Sequence, residues 1–226
     1  DEIQAREDFV AAFAHELKTP LTSIIGYADA LRSRRLDEEK QFMSANYIYT
    51  EGKRLEAMSF RLLDIMVTRR GEVEFTMVSA ESLFLYLYDM YVINKSMKIY
   101  FNYDDGMVRA EANLIKSVLM NLLDNAFKAS EADGLIEVYG HLMKDGYCFE
   151  VKDHGVGIPK EELHKITKAF YMVDKSRSRS RNGAGLGLAL CAEILELHKS
   201  RLNIRSELGK GTTMSFTLPL WKEDQL

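Results

Sequence analysis

The chain has 226 residues, 46% of them hydrophobic, with 30 basic against 34 acidic side chains and a formal net charge of −4, so it can bury a sizeable core and exerts no overall attraction for nucleic acid. Its two cysteines, Cys148 and Cys191, lie among apolar residues without a partner at metal or redox spacing, which argues against a disulfide framework and for thiols in a reducing compartment. No apolar run approaches the roughly 20 residues of a membrane-crossing helix and no signal peptide opens the chain, so a cytoplasmic piece without direct membrane contact is expected.

The chain starts at Asp1, inside a helix-forming pattern and without an initiator Met, which reads as a fragment of something longer. Across residues 1–70 apolar side chains recur at helical spacing, as at Phe9, Phe13 and Leu17 and again at Leu55, Met58, Leu62 and Ile65. The polar break from Ser33 to Asp37 divides them into an antiparallel helical hairpin. Two amphipathic helices cannot enclose a core alone, so the stripes predict a four-helix bundle in a homodimer. In the first helix, His15 and Thr19 are four residues apart and share a face, while Glu16 sits about 100° round from His15. Pro20 should bend the helix there. A neutral imidazole with a carboxylate beside it can act as a nucleophile, although a lone helical His is more often a surface or core residue.

The helical period ends at Arg69-Arg70-Gly71-Glu72, and residues 71–226 form a second domain. Helices are expected over 80–91, 111–130, 160–168 and 186–197, and strands over 98–103, 135–142, 147–152, 201–206 and 212–218. Together they describe a mixed sheet with helices packed on it, making the whole chain α+β: a helical hairpin followed by an α/β sandwich. The aromatic-rich run from Phe84 to Tyr91 reads as core and helix surface rather than a ligand box.

Four segments of this domain carry chemistry. Asn121, Asn125 and Lys128 lie at offsets of four and three on one helix; amide oxygens suit Mg²⁺ and an ammonium balances phosphate, although the same pattern fits a solvated polar stripe. Asp153-His154-Gly155-Val156-Gly157 follows a strand and offers a carboxylate acceptor beside a glycine turn, a weak signal by itself. Gly183, Gly185 and Gly187 lead into an apolar helix whose free N–H groups form an anion site. This is neither the dinucleotide fingerprint nor a P-loop. Gly209-Lys210-Gly211-Thr212-Thr213 precedes a strand and also fits a plain hairpin turn.

These four segments, in this order, resemble the N, G1, G2 and terminal G boxes of the ATP-binding domain shared by histidine kinases, gyrase-type ATPases and heat-shock chaperones. The stretch from Phe9 to Thr22, with Phe13-Ala14-His15-Glu16-Leu17-Lys18-Thr19-Pro20 at its centre, resembles the H box of the dimerisation and phosphoacceptor domain of sensor histidine kinases. Lys168-Ala169-Phe170-Tyr171-Met172-Val173-Asp174 is similar to the F box at the edge of the nucleotide lid. Ala129 and Met172 stand where many relatives have an aromatic and an arginine, and Asn182 where a glycine usually opens the G2 box.

The resemblance implies that His15 is the phosphoacceptor, Glu16 its general base, and Thr19 the residue that orients a water for dephosphorylating a partner. It assigns Asn125 to Mg²⁺ with Asn121 nearby, Lys128 to the phosphates, Asp153 to adenine, and Gly155 and Gly157 to the walls of its pocket. Gly183, Gly185, Leu186 and Gly187 would line the triphosphate, Thr212 would support the adenine end, and Phe170 would stand at the lid. The basic run from Lys175 to Arg181 lacks interleaved aromatics, and it reads as that lid, with Arg177 or Arg179 approaching the γ-phosphate, rather than as a nucleic-acid patch. The implied function is the cytoplasmic core of a two-component sensor histidine kinase that uses ATP and Mg²⁺ to phosphorylate His15, passes the group to the receiver domain of a response regulator, and also removes it. The full-length protein would be membrane-anchored. The rivals are a gyrase-like or chaperone-like conformational ATPase and a degenerate kinase acting as a nucleotide-binding scaffold.

Overall fold

The computed structural model describes residues 2–33, 35–70, 73–91, 98–131, 133–169, 171, 173 and 185–222, with the side chains of 2–10, 12, 15, 16, 54, 57, 58 and 60–70 outside that description. Helices α1 (Glu2–Ser33) and α2 (Glu38–Arg70) pack along each other as a hairpin. The turn ends where Asp37 caps α2: one carboxylate oxygen accepts from the Lys40 backbone N–H at 2.9 Å and the other from Lys40 Nζ at 2.7 Å. Near the same end Tyr27 and Tyr47 stack at 4.7 Å between ring centroids. α1 runs as one continuous helix through Pro20, which is buried. A single hairpin leaves Leu21, Ile25, Phe42, Met43 and Tyr49 exposed.

Beyond the hairpin, β1 (Thr76–Ser79) pairs antiparallel with β3 (Met107–Ala110). Neither strand was expected, because four residues are too few for period-two alternation to stand out. The main sheet has the order β2-β4-β5-β7-β6, formed by β2 (Lys98–Tyr103), β4 (Leu135–Met143), β5 (Gly146–Asp153), β7 (Gly211–Leu218) and β6 (Asn203–Glu207). β2 is parallel to β4 and the other pairings are antiparallel, so the sheet is mixed as expected. Along β5 the residues alternate: Tyr147, Phe149 and Val151 are buried, while Cys148, Glu150 and Lys152 face outward.

Helices α3 (Ala80–Tyr91), α4 (Ala112–Ala129) and α5 (Gly187–Leu197) cover the buried face. α4 is the central one. It buries Leu114, Ile115, Val118, Leu119, Leu122, Leu123 and Ala126 at helical spacing, each full-size aliphatic contributing about 2 kcal/mol of burial. Its polar stripe, carrying Asn121, Asn125 and Lys128, remains half-exposed on the other side. Glu111 caps its N-terminus, the carboxylate accepting from Leu114 N–H at 2.6 Å. α5 packs against α4 and also touches α2.

The helix expected over 160–168 is a correction: only Lys160–Glu162 forms a 3₁₀ turn, continued by short-range bonds from Lys165 N–H to Glu162 O and from Lys168 N–H to Lys165 O, each 2.8 Å. Pro159 provides no side-chain cap, and the segment buries only Ile166. One buried side chain cannot hold an amphipathic helix against the domain.

A buried histidine joins α4 to α5. His198, 3% exposed, accepts from Glu111 N–H at its Nε2 (3.1 Å), so Nδ1 carries the proton and donates to Ile194 O at 2.7 Å. Phe75 meets its ring edge-on at 5.0 Å. Burial pushes its pKa below the ordinary value, with Arg109 acting the same way and the Ile194 bond and Glu111 acting against it. Because the folded state prefers neutral His198, the stability it confers is full above the unfolded pKa of about 6.5 and is lost as pH falls below it. Thermal melts between pH 8 and pH 5 should show that loss. His198→Gln should be less stable at pH 8 by about 1–3 kcal/mol, for leaving a buried N–H poorly paired, and should lose less on acidification than the wild type.

Candidate functional site

The site is built around Asp153, the last residue of β5, 6% exposed. Its Oδ1 accepts from Gly155 N–H at 2.9 Å and from Thr212 N–H at 3.2 Å, while Oδ2 has no protein donor among the described residues. Burial raises its pKa above the usual carboxylate range, against the pull of the two backbone N–H groups. One carboxylate oxygen thus holds two loops together and the other is left to accept.

Three close backbone approaches complete the cradle. A side chain on Gly155 would overlap the Ala129 carbonyl at the end of α4, and Val156 N–H donates to that carbonyl at 3.1 Å. Gly157, at φ 68°, lies against the Glu207 carbonyl, and Gly211, at φ 108°, against that of Asp153. A Cβ would collide at both, and the left-handed backbone would be strained with any other residue. The Asp153 loop is therefore clamped between the end of α4 and the β6–β7 hairpin.

At the other end, a Cβ built on Gly187 would stand 2.8 Å from Asn121 Oδ1, which puts the start of α5 directly beside the polar stripe of α4. Asn121 donates its amide N–H to Ser117 O at 2.9 Å. Asn125 Nδ2 is buried without a partner among the described residues, an N–H donor left open on the polar stripe. Asp124, next to it, accepts from Tyr91 O–H at 2.9 Å, and burial together with Asp124 drives the Tyr91 hydroxyl far above its ordinary pKa. That anchor holds α4 on α3 and leaves the asparagines facing the opening.

The structure thus gathers Asp153, Gly155, Gly157 and Thr212 at one end and Asn121, Asn125 and Gly187 at the other. Leu186 is wholly buried, and it packs on Phe13 and Leu17 of α1 and on Ala169. Phe13 and Leu17 are the residues two before and two after His15, so α1 abuts the entrance to α5 at that segment. Thr19 is exposed on α1. The side chains of His15 and Glu16, and all of Phe170, Arg177, Arg179 and Gly183, lie outside the described residues.

Sequence reasoning missed three groups around this site. Ser206 on β6 accepts from Ile158 N–H at 2.7 Å; a lone serine in a strand carries no signal. Glu137 on β4 takes the Tyr139 hydroxyl, His154 Nε2 at 2.7 Å and Lys152 Nζ at 2.9 Å, which hold its carboxyl down at about 2. That hub fixes the outer side of the Asp153 turn. Tyr171 donates its hydroxyl to Glu162, tying the F-box segment to the 3₁₀ turn.

Comparison with known proteins agrees with this geometry. Residues 110–222 match the model of the histidine kinase-, DNA gyrase B- and HSP90-like ATPase family, and residues 5–66 that of the His Kinase A (phospho-acceptor) domain. The chain is 32% identical to the sensor histidine kinase WalK of Bacillus subtilis over 98% of its own length and 38% of that protein's. It is 30% identical to the sensor histidine kinase YclK of the same organism, over 97% of this chain and 48% of the relative. The chain therefore spans less than half the length of these relatives. Among solved structures, the histidine kinase ThkA in complex with the response regulator protein TrrA superposes with a TM-score of 0.76 at 24% identity, over 99% of this chain and 66% of that one, which supports the fold. The chain belongs to the histidine kinase-, DNA gyrase B- and HSP90-like ATPase family and couples that domain to a His Kinase A phospho-acceptor hairpin, the pairing found in two-component sensor histidine kinases.

Proposed function

We propose that this chain is the catalytic core of a sensor histidine kinase that phosphorylates His15 from ATP and hands the group to an aspartate of a response regulator. The observation that carries the proposal is the Leu186 contact: the residue that leads into α5 packs on Phe13 and Leu17 of α1, which flank His15 in sequence. A purely conformational ATPase has no need of a phosphoacceptor helix at that place.

In this reading Asp153 Oδ2 accepts from the exocyclic amine of adenine, Gly155 and Gly157 let the backbone close on the base, and Thr212 supports that end. Gly185 and Gly187, at the start of α5, would offer backbone N–H groups to phosphate, the resemblance assigns Gly183 to the same role, and Lys128 with Arg177 or Arg179 would balance the charge. Mg²⁺ fits the site in ligand type, since the carboxamide oxygen of Asn125, on the half-exposed polar stripe of α4, is of the hard-oxygen class that Mg²⁺ takes. When bound, it would neutralise charge on the β- and γ-phosphates. A nitrogen of His15 attacks the γ-phosphorus, the N–P bond forms as the bond to the bridging oxygen breaks, and ADP leaves. Glu16 takes the proton from the other ring nitrogen. Positioning does most of the work, because the transition state is loose and asks for little covalent help.

Two partners follow. The exposed stripe of Leu21, Ile25, Phe42, Met43 and Tyr49 supports a second copy completing a four-helix bundle, and the same helices would present His15 to the receiver domain of a response regulator. Thr19, exposed one helical turn after His15, would orient the water that removes phosphate from that regulator. Among the described residues no helix is long and apolar enough to cross a membrane; anchoring of the full-length protein is proposed from the family resemblance.

Incubation with γ-labelled ATP and Mg²⁺ should label the wild type with an acid-labile, alkali-stable phosphate, and His15→Gln should carry none. Label that survives His15→Gln would defeat the assignment. Asn125→Ala should lose label at least a hundredfold through lost Mg²⁺ and triphosphate placement. Thr19→Ala should keep kinase activity while slowing regulator dephosphorylation at least tenfold, as read from the decay of purified phospho-regulator; an unchanged decay would exclude that role. In a nucleotide titration, affinity should weaken on acidification toward the raised Asp153 pKa, because the protonated carboxyl no longer accepts with full charge.

A further inference from the structure

Asp153 is flanked in the chain by two residues whose side chains end on the same acceptor. Lys152 Nζ lies 2.9 Å and His154 Nε2 2.7 Å from Glu137 Oε1 on the adjacent strand β4. Along β5 the side chains alternate between the two faces of the sheet, and Asp153 belongs to the buried, helix-covered one. Lys152 belongs to the opposite face, which Glu137, standing between the buried Ile136 and Val138, shares. The bond to Glu137 brings His154 to that outer face too.

Strand pairing stops at this point. Glu137 stands opposite Lys152 in the ladder between β4 and β5, and the last pair is Ile136 with Asp153. A half-exposed cross-strand ion pair such as Glu137–Lys152 contributes little by itself. The His154 bond differs, because it reaches past the end of the ladder to the first residue of the turn that returns Gly155 N–H to Asp153 Oδ1. Glu137 is itself held in place. It also takes the Tyr139 hydroxyl, and the Tyr139 ring stacks on His141 at 5.7 Å and meets Tyr100 edge-on at 6.2 Å. Three donors hold its carboxyl far below the ordinary range, so it only accepts, and His154 Nε2 carries the proton between them.

We infer that Glu137 is a positioning residue for nucleotide binding: by holding the residues on both sides of Asp153 from the outer face, it fixes the direction in which the Asp153 carboxylate enters the cradle. The inference rests on the reading that Asp153 meets the nucleotide. A side chain on one face of a strand turns with the backbone that carries it, and tethers on the residues to either side oppose that turn. Oδ1 keeps its two backbone donors, from Gly155 and Thr212, only while that direction holds. Glu137 therefore acts on affinity from the far side of the sheet and takes no part in the transfer of phosphate.

The test is the rate of His15 labelling by the whole chain as ATP is varied, with calorimetric titration of ADP beside it. Glu137→Ala should raise both the half-saturating ATP concentration and the ADP dissociation constant about tenfold, the worth of one charge-assisted hydrogen bond. The rate at saturating ATP should stay within about twofold of the wild type, because uniform binding is lost and transition-state binding is not. His154→Ala breaks the tether from its other end, at an exposed residue, and should act in the same direction, so the inference can be judged even if Glu137→Ala does not fold. His154→Gln, which keeps an N–H donor at the end of its side chain, should restore the affinity that His154→Ala loses, a rescue that a general loosening of the sheet does not give. ADP affinity unchanged in both alanine variants, or a loss that His154→Gln fails to restore, would overturn the role of Glu137. A wild type that neither binds ADP nor takes label would overturn the nucleotide reading itself, and the inference with it.

Discussion

The carboxylate of Asp153 is the point on which the rest of the cradle depends. Three chain segments far apart in sequence meet there: the loop after β5, the end of α4 and the β6–β7 hairpin. Apolar side chains such as Phe127 and Ile158 tie the segments to the core, but it is backbone and carboxylate hydrogen bonds that join them to one another. Oδ1 takes the two N–H groups that close the cradle, and those bonds also offset part of the cost of burying a charge. Had Asp153 been wholly satisfied by protein donors, it would be a structural residue only. Its second oxygen, without a protein donor among the described residues, supports the recognition role proposed for it.

Rigidity reaches this point from below. α4 is pinned along its buried face by seven apolar side chains, at its N-terminus by Glu111 and His198, and on its flank by Tyr91 and Asp124. The polar stripe therefore projects from a helix that has little freedom to roll. This arrangement suits a site whose ligand is mostly charge, since fixed dipoles and charges stabilise phosphate without reorganising when it arrives. The helical hairpin is built on the opposite principle, with exposed apolar side chains and, through Leu186, a buried contact at Phe13 and Leu17 of α1.

Much of this was legible in the residues. The strand over 98–103 and the helix over 80–91 coincide with the structure, and the hairpin break falls within a residue or two of its expected place, because period and polarity change together at those points. The short pair β1–β3 and the failed helix after Pro159 were not legible. In the first case four residues carry no period, and in the second the local propensity is helical but tertiary packing offers almost nothing to bury against. At the site, Asp153, Gly155, Gly157 and Thr212 could be named because a motif marks them. Ser206, His198 and Glu137 could not, since each acts through a partner dozens of residues away and none belongs to a pattern in its own neighbourhood.

That division has a physical reason. Residues that touch a common ligand must share a local backbone shape, so they come in runs with glycines at recognisable intervals. Residues that set the polarity or protonation of those groups need only arrive at the right distance, and any strand or helix can deliver them. Ser206 illustrates the point: one hydroxyl on β6, with no sequence signature, meets Ile158 N–H, the Gly211 carbonyl and the Thr212 hydroxyl at once. A cradle with the same glycines and the same Asp153 but an apolar residue at 206 would look identical as a motif and lack that tie. The tie at that hydroxyl is a property of the three-dimensional fold alone.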